Sequence, residues 1–376
     1  MKILLVKLSS LGDVVHTLPV VQDIHAAMPG AQIDWVIEKS FAPLLLPLLL
    51  PLLLPPPTGH AGLHRVITCE LRRWRKSPFS AATRQAWRSF KTQLQTDAYD
   101  AVIDLQGLTK SALVARLARL SPLGKRYALA NQTEGSGYEA PTRWVADVAI
   151  RMAPHIHAVQ RARELAAKAL GYSFQVNPDF GLKVAMKHAR QAQEAPESIA
   201  NSSAIAFVHG TSRADKTWPT AHWIELGQKL NAAGHQIVLP HGNAQERLTS
   251  QAIAQALNQG EAPHQAPRAV VWPLLSLDLL TAELARCAGV IGVDSGVSHI
   301  AVALNLPHVQ IYNFDTAWRT GPVASGQSEP TKQVKQVSVF AQPAPSVNAV
   351  WQAWLSCRDA VVLWCFYNQQ RDDVIT

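Results

Sequence analysis

The chain has 376 residues, 48% of them hydrophobic and 16% charged, enough apolar material for two packed domains and unlike a disordered or collagen-like chain. Its four cysteines, Cys69, Cys287, Cys357 and Cys365, include no CxxC pair, which argues against a disulfide framework or a structural zinc site and for a reduced, cytoplasmic chain. The net charge of +8 lies wholly in the first half, where residues 1–180 hold 21 Lys+Arg against 13 Asp+Glu while the remainder holds 14 of each, so that half should face something anionic: nucleic acid, a membrane surface or a phosphorylated substrate.

The opening MKILLVKLSSLGDVVH superficially resembles a signal peptide, but Lys7 and Asp13 interrupt its apolar run and no small-residue cleavage site follows. It reads as a buried strand, Lys2–Lys7, entering a turn at Ser9–Gly12. A helical pattern runs from Val14 to Met28 and stops at Pro29-Gly30; a strand follows at Gln32–Ile37. The stretch PLLLPLLLPLLLPPP, residues 43–57, is too short and too rich in proline for a spanning helix. It is expected to be a low-complexity insertion, extended or irregular, either a tolerated loop expansion or a contact for a membrane surface. A weaker strand near Arg65–Thr68, a helix at Ala81–Gln95, a strand at Ala101–Leu105, and helices at Thr109–Leu120 and His157–Leu170 complete the first series.

A second series begins with a strand at Ala204–Val208. Helices are expected at Thr220–Ala233, Ala244–Asn258, Leu277–Cys287 and Gly296–Leu304, with strands at Gln236–Leu239, Val290–Val293 and Val309–Tyr312. Short apolar strands separated by helices imply parallel sheets covered on both faces. The expected architecture is α/β, with two Rossmann-like doubly wound domains facing each other across a cleft: residues 1–175, a linker at 176–202, residues 203–345, and a helical tail at 346–376. Ligands in such sheets sit at the carboxyl ends of the strands.

Four motifs fall at strand ends or beside them. Ser9-Ser10-Leu11-Gly12-Asp13 joins the first strand to the first helix; Gly12 is expected to give a tight turn, and Asp13 suits either a helix cap or a catalytic base. Arg72-Arg73-Trp74-Arg75-Lys76 suits phosphate binding or a solvated basic face. The loop His209–Pro219, HGTSRADKTWP, follows the first strand of the second series; its hydroxyls, amides and Lys216 suit a diphosphate, the alternative being a plain polar turn. Val293-Asp294-Ser295-Gly296-Val297-Ser298-His299 again runs from strand to helix. Its amides suit an anion, Asp294 a cap or a sugar hydroxyl, and His299 a ligand contact or a satisfied interior position. No GxGxxG fingerprint follows either first strand, which disfavours a nucleotide-dependent oxidoreductase.

With these motifs in order the chain resembles the lipopolysaccharide heptosyltransferases. The stretches that carry the resemblance are KILLVKLSSLGDVVHTLP, RRWRK, YDAVIDLQGLTKSAL, HGTSRADKTWP and VDSGVSHIAVAL, spread over most of residues 1–312. The resemblance implies a GT-B fold and an inverting transfer of L-glycero-D-manno-heptose from ADP-heptose to Kdo of Kdo-lipid A, with no metal and no cofactor. It makes Asp13 the candidate general base. Thr211, Ser212 and Lys216 would hold the diphosphate, Glu246 the ribose, and Asp294, Ser295, Gly296 and His299 the heptose and diphosphate. Ser10, Gly12, Arg72, Arg73 and Lys76 would meet the acidic acceptor. The implied setting is peripheral, on the cytoplasmic face of the inner membrane, with no nucleic-acid partner. Within the family the RRWRK run favours transfer of the first core heptose over the second. A sugar-nucleotide-binding pseudoenzyme is the non-catalytic alternative.

Overall fold

The computed structural model describes residues 1–49, 62–186, 203–259, 267–323 and 335–358. They fall into two compact units, Met1–Ala185 and Met186–Thr376.

The first unit holds six strands: β1 Lys2–Val6, β2 Gln32–Glu38, β3 Arg65–Cys69, β4 Ala98–Asp104, β5 Arg119–Leu129 and β6 Val148–Ile150. They form one sheet in the order β3-β2-β1-β4-β5-β6, and every pairing is parallel. The order reverses between β1 and β4, so the switch point lies where the chain leaves these two strands. Ile3, Leu4, Leu5 and Val6 are all fully buried, as a central strand covered on both faces requires.

The expected helix Val14–Met28 is two helices, Leu11–Thr17 and Pro19–Ala27. Pro19 has no N–H to continue the first helix, and Leu18 closes it instead with a tight bond to the Val15 carbonyl. The helix Ala158–Leu170 ends at Gly171, whose left-handed φ of 75° suits glycine. Its Arg163, nearly fully buried, grips Asp23 through two bonds of 2.7 and 2.8 Å, fixing this helix against Pro19–Ala27. The unit runs on past residue 175, because Leu182 and Ala185 are buried.

The proline–leucine segment departs from expectation in its described part. Residues Ala42–Leu44 and Leu46–Leu48 form two short 3-10 turns, each with proline in its first positions. Leu44, Leu45 and Leu48 are buried, and Leu49 bridges to Leu63. This part is core rather than an irregular insertion; residues 50–57 lie outside the described residues.

The second unit repeats the plan with β7 Ile205–Val208, β8 Ile237–Leu239, β9 Ala269–Val271, β10 Gly289–Val293, β11 His308–Tyr312 and β12 Gln336–Phe340, in the order β12-β11-β10-β7-β8-β9. Again the pairings are parallel, and the switch point lies between β7 and β10. Residues 347–358 of the expected tail are helical, and Val347, Val350, Trp354 and Cys357 join the core on this sheet. Residues 359–376, with Cys365, lie outside the described residues. Cys69, Cys287 and Cys357 are free and buried. Among the described residues no helix is long and apolar enough to cross a membrane.

Candidate active site

At the first switch point the loop after β1 is braced by the end of β4. The Gln106 side chain accepts the amides of Leu8 and Ser9 at 3.0 and 3.1 Å, and Lys7 donates through Nζ to the Leu105 carbonyl at 3.0 Å. Ser10 is the residue before helix Leu11–Thr17, and Asp13 sits in its first turn. The Asp13 Oδ2 accepts both the Ser10 amide, at 3.1 Å, and the Ser10 hydroxyl, at 2.8 Å. Asp13 thus answers the capping reading as the reciprocal partner of the cap. Its Oδ1 faces two cations, Lys7 Nζ at 3.5 Å and Arg161 at 4.0 Å. Burial works to raise this carboxyl, but the Lys7 ammonium, the Ser10 hydroxyl and amide and His16 outweigh it and hold it well below the usual carboxylate range. Gly12 is not the turn maker expected of it: it lies within the helix and is absent from the residues with left-handed φ.

Neighbouring β4 ends in Asp104, buried and bonded to the Ser111 hydroxyl at 2.9 Å and the Gln106 amide at 2.9 Å. Burial is the dominant influence and pushes it up to about 6.

The basic run forms the helix Leu71–Lys76 after β3. Arg72, Arg73 and Lys76 are exposed, and Arg73 bonds Glu70 at 3.2 Å. Trp74 is not a ligand platform. It is buried and packs edge-on against Trp87 at 5.5 Å and at a tilt against Phe90 at 5.6 Å, anchoring the helix and leaving the cations outside.

In the second unit the loop after β7 and the residues after β10 meet at the switch point. Lys216 Nζ donates to Asp294 Oδ2 at 2.5 Å, His299 Nε2 lies 3.4 Å from Oδ1, and Thr320 reaches Oδ1 at 3.5 Å. The Thr211 hydroxyl donates to the Asp294 carbonyl at 3.4 Å. Burial alone would raise the Asp294 carboxyl; the hydrogen bond and charge of His299 and the Lys216 ammonium pull it well below the usual range. Ser295 caps the helix Gly296–Ala303, its hydroxyl accepting the Ser298 amide at 3.4 Å. Ser298 in turn donates to the Val293 carbonyl at 2.6 Å.

Glu246 approaches the β7 loop from the strand on its other side. It lies in the first turn of helix Ala244–Leu257, after β8, and its Oε2 accepts the Gly242 amide at 2.7 Å. A Cβ at Gly210 would stand 2.6 Å from the Glu246 carboxyl carbon, so glycine there lets the carboxylate lie against the β7 loop. Ser212 is exposed on that loop.

The structure therefore brings Thr211, Lys216, Asp294, Ser295, Gly296 and His299 together, and Ser10, Gly12 and Asp13 together. Lys7, Arg161 and Thr320 lie outside the four sequence motifs. A lysine closing a buried strand is a signal the sequence carries; Arg161 stands 148 positions from Asp13, and nothing local connects them.

Two sheets of Rossmann order, each with charged side chains gathered at its switch point, match the GT-B fold of the solved heptosyltransferases. The chain belongs to glycosyltransferase family 9 (heptosyltransferase), whose model matches residues 87–344. It is 37% identical over 314 residues to lipopolysaccharide heptosyltransferase 1 of Escherichia coli K12, covering 83% of this chain and 88% of that one. To lipopolysaccharide heptosyltransferase 1 of Salmonella typhimurium LT2 it is 35% identical, with the same coverage. The solved E. coli heptosyltransferase WaaC with ADP superposes with a TM-score of 0.76 at 33% identity, over 94% of this chain and 98% of that one. The structure of E. coli ADP-heptose LPS heptosyltransferase II, at 22% identity and a TM-score of 0.69, shares the fold.

Proposed function

We propose that the protein transfers L-glycero-D-manno-heptose from ADP-heptose to Kdo of Kdo-lipid A, with inversion at the anomeric carbon. The observation that carries this reading is a carboxylate held ionised at the first switch point, in a chain alike over 94% of its length to a WaaC solved with ADP-2-deoxy-2-fluoro heptose. The first-heptose reading is favoured over the second because relatives of type 1 reach 35–37% identity, against 28% for the E. coli type 2 enzyme.

In this reading an acceptor hydroxyl attacks the anomeric carbon as the bond to the diphosphate breaks. Asp13 takes the hydroxyl proton, and ADP leaves with the bonding electron pair. A carboxylate held this acidic is a weak base, so proton transfer runs together with attack rather than before it. Lys216, the Thr211 and Ser212 hydroxyls and the amides of Ser295 and Gly296 meet the charge that grows on the diphosphate. Asp294 and His299 take heptose hydroxyls and Glu246 the ribose. No residue in this scheme calls for a metal or cofactor.

Ser10, Gly12, Arg72, Arg73 and Lys76 receive the anionic acceptor. The surface around them supports contact with an anionic membrane: residues 71–96 carry seven Lys or Arg and no acid, and Phe79 between the two helices is 87% exposed. The test is product analysis with ADP-heptose and two acceptors, delipidated Kdo sugar and Kdo-lipid A in vesicles. A heptosylated, inverted product is expected with both, and Phe79→Ser should raise KM only with vesicles. ADP-heptose binding without product would leave a sugar-nucleotide-binding pseudoenzyme.

A further inference from the structure

Lys7 has no part of its own in the proposed transfer, yet it is placed as though the reaction depended on it. It directly follows the central strand β1 and is 3% exposed. Its backbone is pinned on both sides, the amide donating to the Val36 carbonyl at 3.3 Å and the carbonyl accepting the buried Trp35 indole at 3.0 Å. Its ammonium donates to the Leu105 carbonyl at 3.0 Å and stands 3.5 Å from Asp13 Oδ1. A lysine taken out of water at this cost needs a compensating anion, and removing either partner leaves an uncompensated charge. Two carboxylates are near it, Asp13 and Asp104, and Arg161 opposes it.

The two oxygens of Asp13 have different surroundings. Oδ2 is occupied by the Ser10 amide and hydroxyl at 3.1 and 2.8 Å, while Oδ1 meets Lys7 only at 3.5 Å and Arg161 at 4.0 Å. Oδ1, with no close donor, is thus the oxygen with more capacity to take a proton. The charged groups facing it are Lys7 from β1 and Arg161 from helix Ala158–Leu170, with His16 one turn on in its own helix.

We propose that Lys7 is the positioning residue for the general base: its buried ammonium orients the Asp13 carboxylate and keeps Oδ1 ionised and ready to accept the acceptor's proton. The inference rests on Asp13 being the base. Burial lowers the affinity of Lys7 for its proton, and Asp13 works against that loss, so the two side chains sustain each other's charged forms. The cost is a less basic carboxylate. The return is a base that stays unprotonated well into acid.

The test is kcat, with KM for each substrate, at neutral pH for the full-length enzyme with ADP-heptose and a Kdo acceptor. Lys7→Met keeps the length of the side chain and removes the charge. Its kcat should fall about tenfold or more, while KM for ADP-heptose stays unchanged, and Lys7→Arg, which keeps the charge, should recover part of the loss. Parent kcat in a folded Lys7→Met overturns the inference. If the Met variant does not fold, Lys7→Gln takes its place, and parent kcat there has the same consequence. Asp13→Asn separates the two levels: if it remains active, the base assignment has failed; if it is inactive and the Lys7 variant keeps the parent kcat, only the role of Lys7 has failed.

Discussion

Lys216 and Asp294, 78 residues apart in sequence, meet at 2.5 Å where the loop after β7 crosses the end of β10. The first unit has a counterpart, because Lys7 at the end of β1 bonds the carbonyl of Leu105 just beyond β4. In both sheets a lysine that is wholly or largely buried ties together the two strands between which the order reverses. Each lysine therefore belongs both to the fold and to the place where a doubly wound sheet takes its ligand.

That double role makes the effect of losing Lys216 divisible. Lys216→Ala should weaken ADP binding by about 1.5–3 kcal/mol, the range for a charge-assisted bond, and should also destabilise the second unit by leaving the buried Asp294 short of a partner. Adding Asp294→Asn should recover the melting temperature but not the ADP affinity. Calorimetric titration and thermal melts on both variants check this; ADP affinity that returns with the double variant would place Lys216 outside the donor site.

Gly210 tests the place of Glu246 without removing it. Gly210→Ala puts a methyl group 2.6–2.8 Å from the Glu246 carboxylate, which must swing away from the Gly242 amide. The Glu246 carboxylate is the end of a flexible side chain, so thermal stability should change little. ADP affinity should fall about tenfold, the equivalent of one hydrogen bond to a charged group. Unchanged ADP binding would mean that the ribose is held elsewhere.

The second unit should be acid-sensitive through two buried histidines. Burial lowers His209 and His308 to about 4 each, with His241 adding to the effect at His209 and His299 at His308. The folded state resists the proton that the unfolded chain accepts near pH 6.5. The stability this gives is complete above about pH 6.5 and is lost as pH falls toward 4, at up to about 1.4 kcal/mol per pH unit for each site. His209→Gln keeps a partner for Ser250, which His209 Nε2 meets at 2.7 Å. Its melting temperature should fall less steeply between pH 6.5 and 4.5 than the parent's. Parallel slopes would remove His209 from the acid response.

Leu45 tests the proline–leucine segment. Leu45→Ala removes a fully buried side chain from the first unit and should cost about 2–5 kcal/mol in urea unfolding. A loss near zero would restore the reading of these residues as a loop insertion.

Much of the architecture is readable from local pattern. The central strands β1, β2, β7, β10 and β11 are short apolar runs, and glycine at position 171 marks the end of its helix before any coordinate is known. Strands β5, β6, β9 and β12 escape the same reading. Three of them lie at sheet edges, β6 and β9 have three residues each, and β5 and β12 are half exposed, so none carries a buried apolar run of useful length. Pairing with a neighbour, not composition, makes them strands.

The site divides in the same way. The sequence by itself determined that Asp13 starts a helix after a buried strand, that Lys216 lies in a hydroxyl-rich loop and that Asp294 precedes a helix, because each depends only on adjacent residues. Only the tertiary structure decided that Lys7 and Arg161 converge on Asp13 Oδ1, that Lys216 pairs with Asp294, that Trp74 turns inward, and that Leu44, Leu45 and Leu48 are core. The reason is physical. A residue's propensity acts over one helical turn or one strand, but its charge partner and its burial are set by the crossovers that bring β4 beside β1 and β10 beside β7, over separations that no local pattern spans.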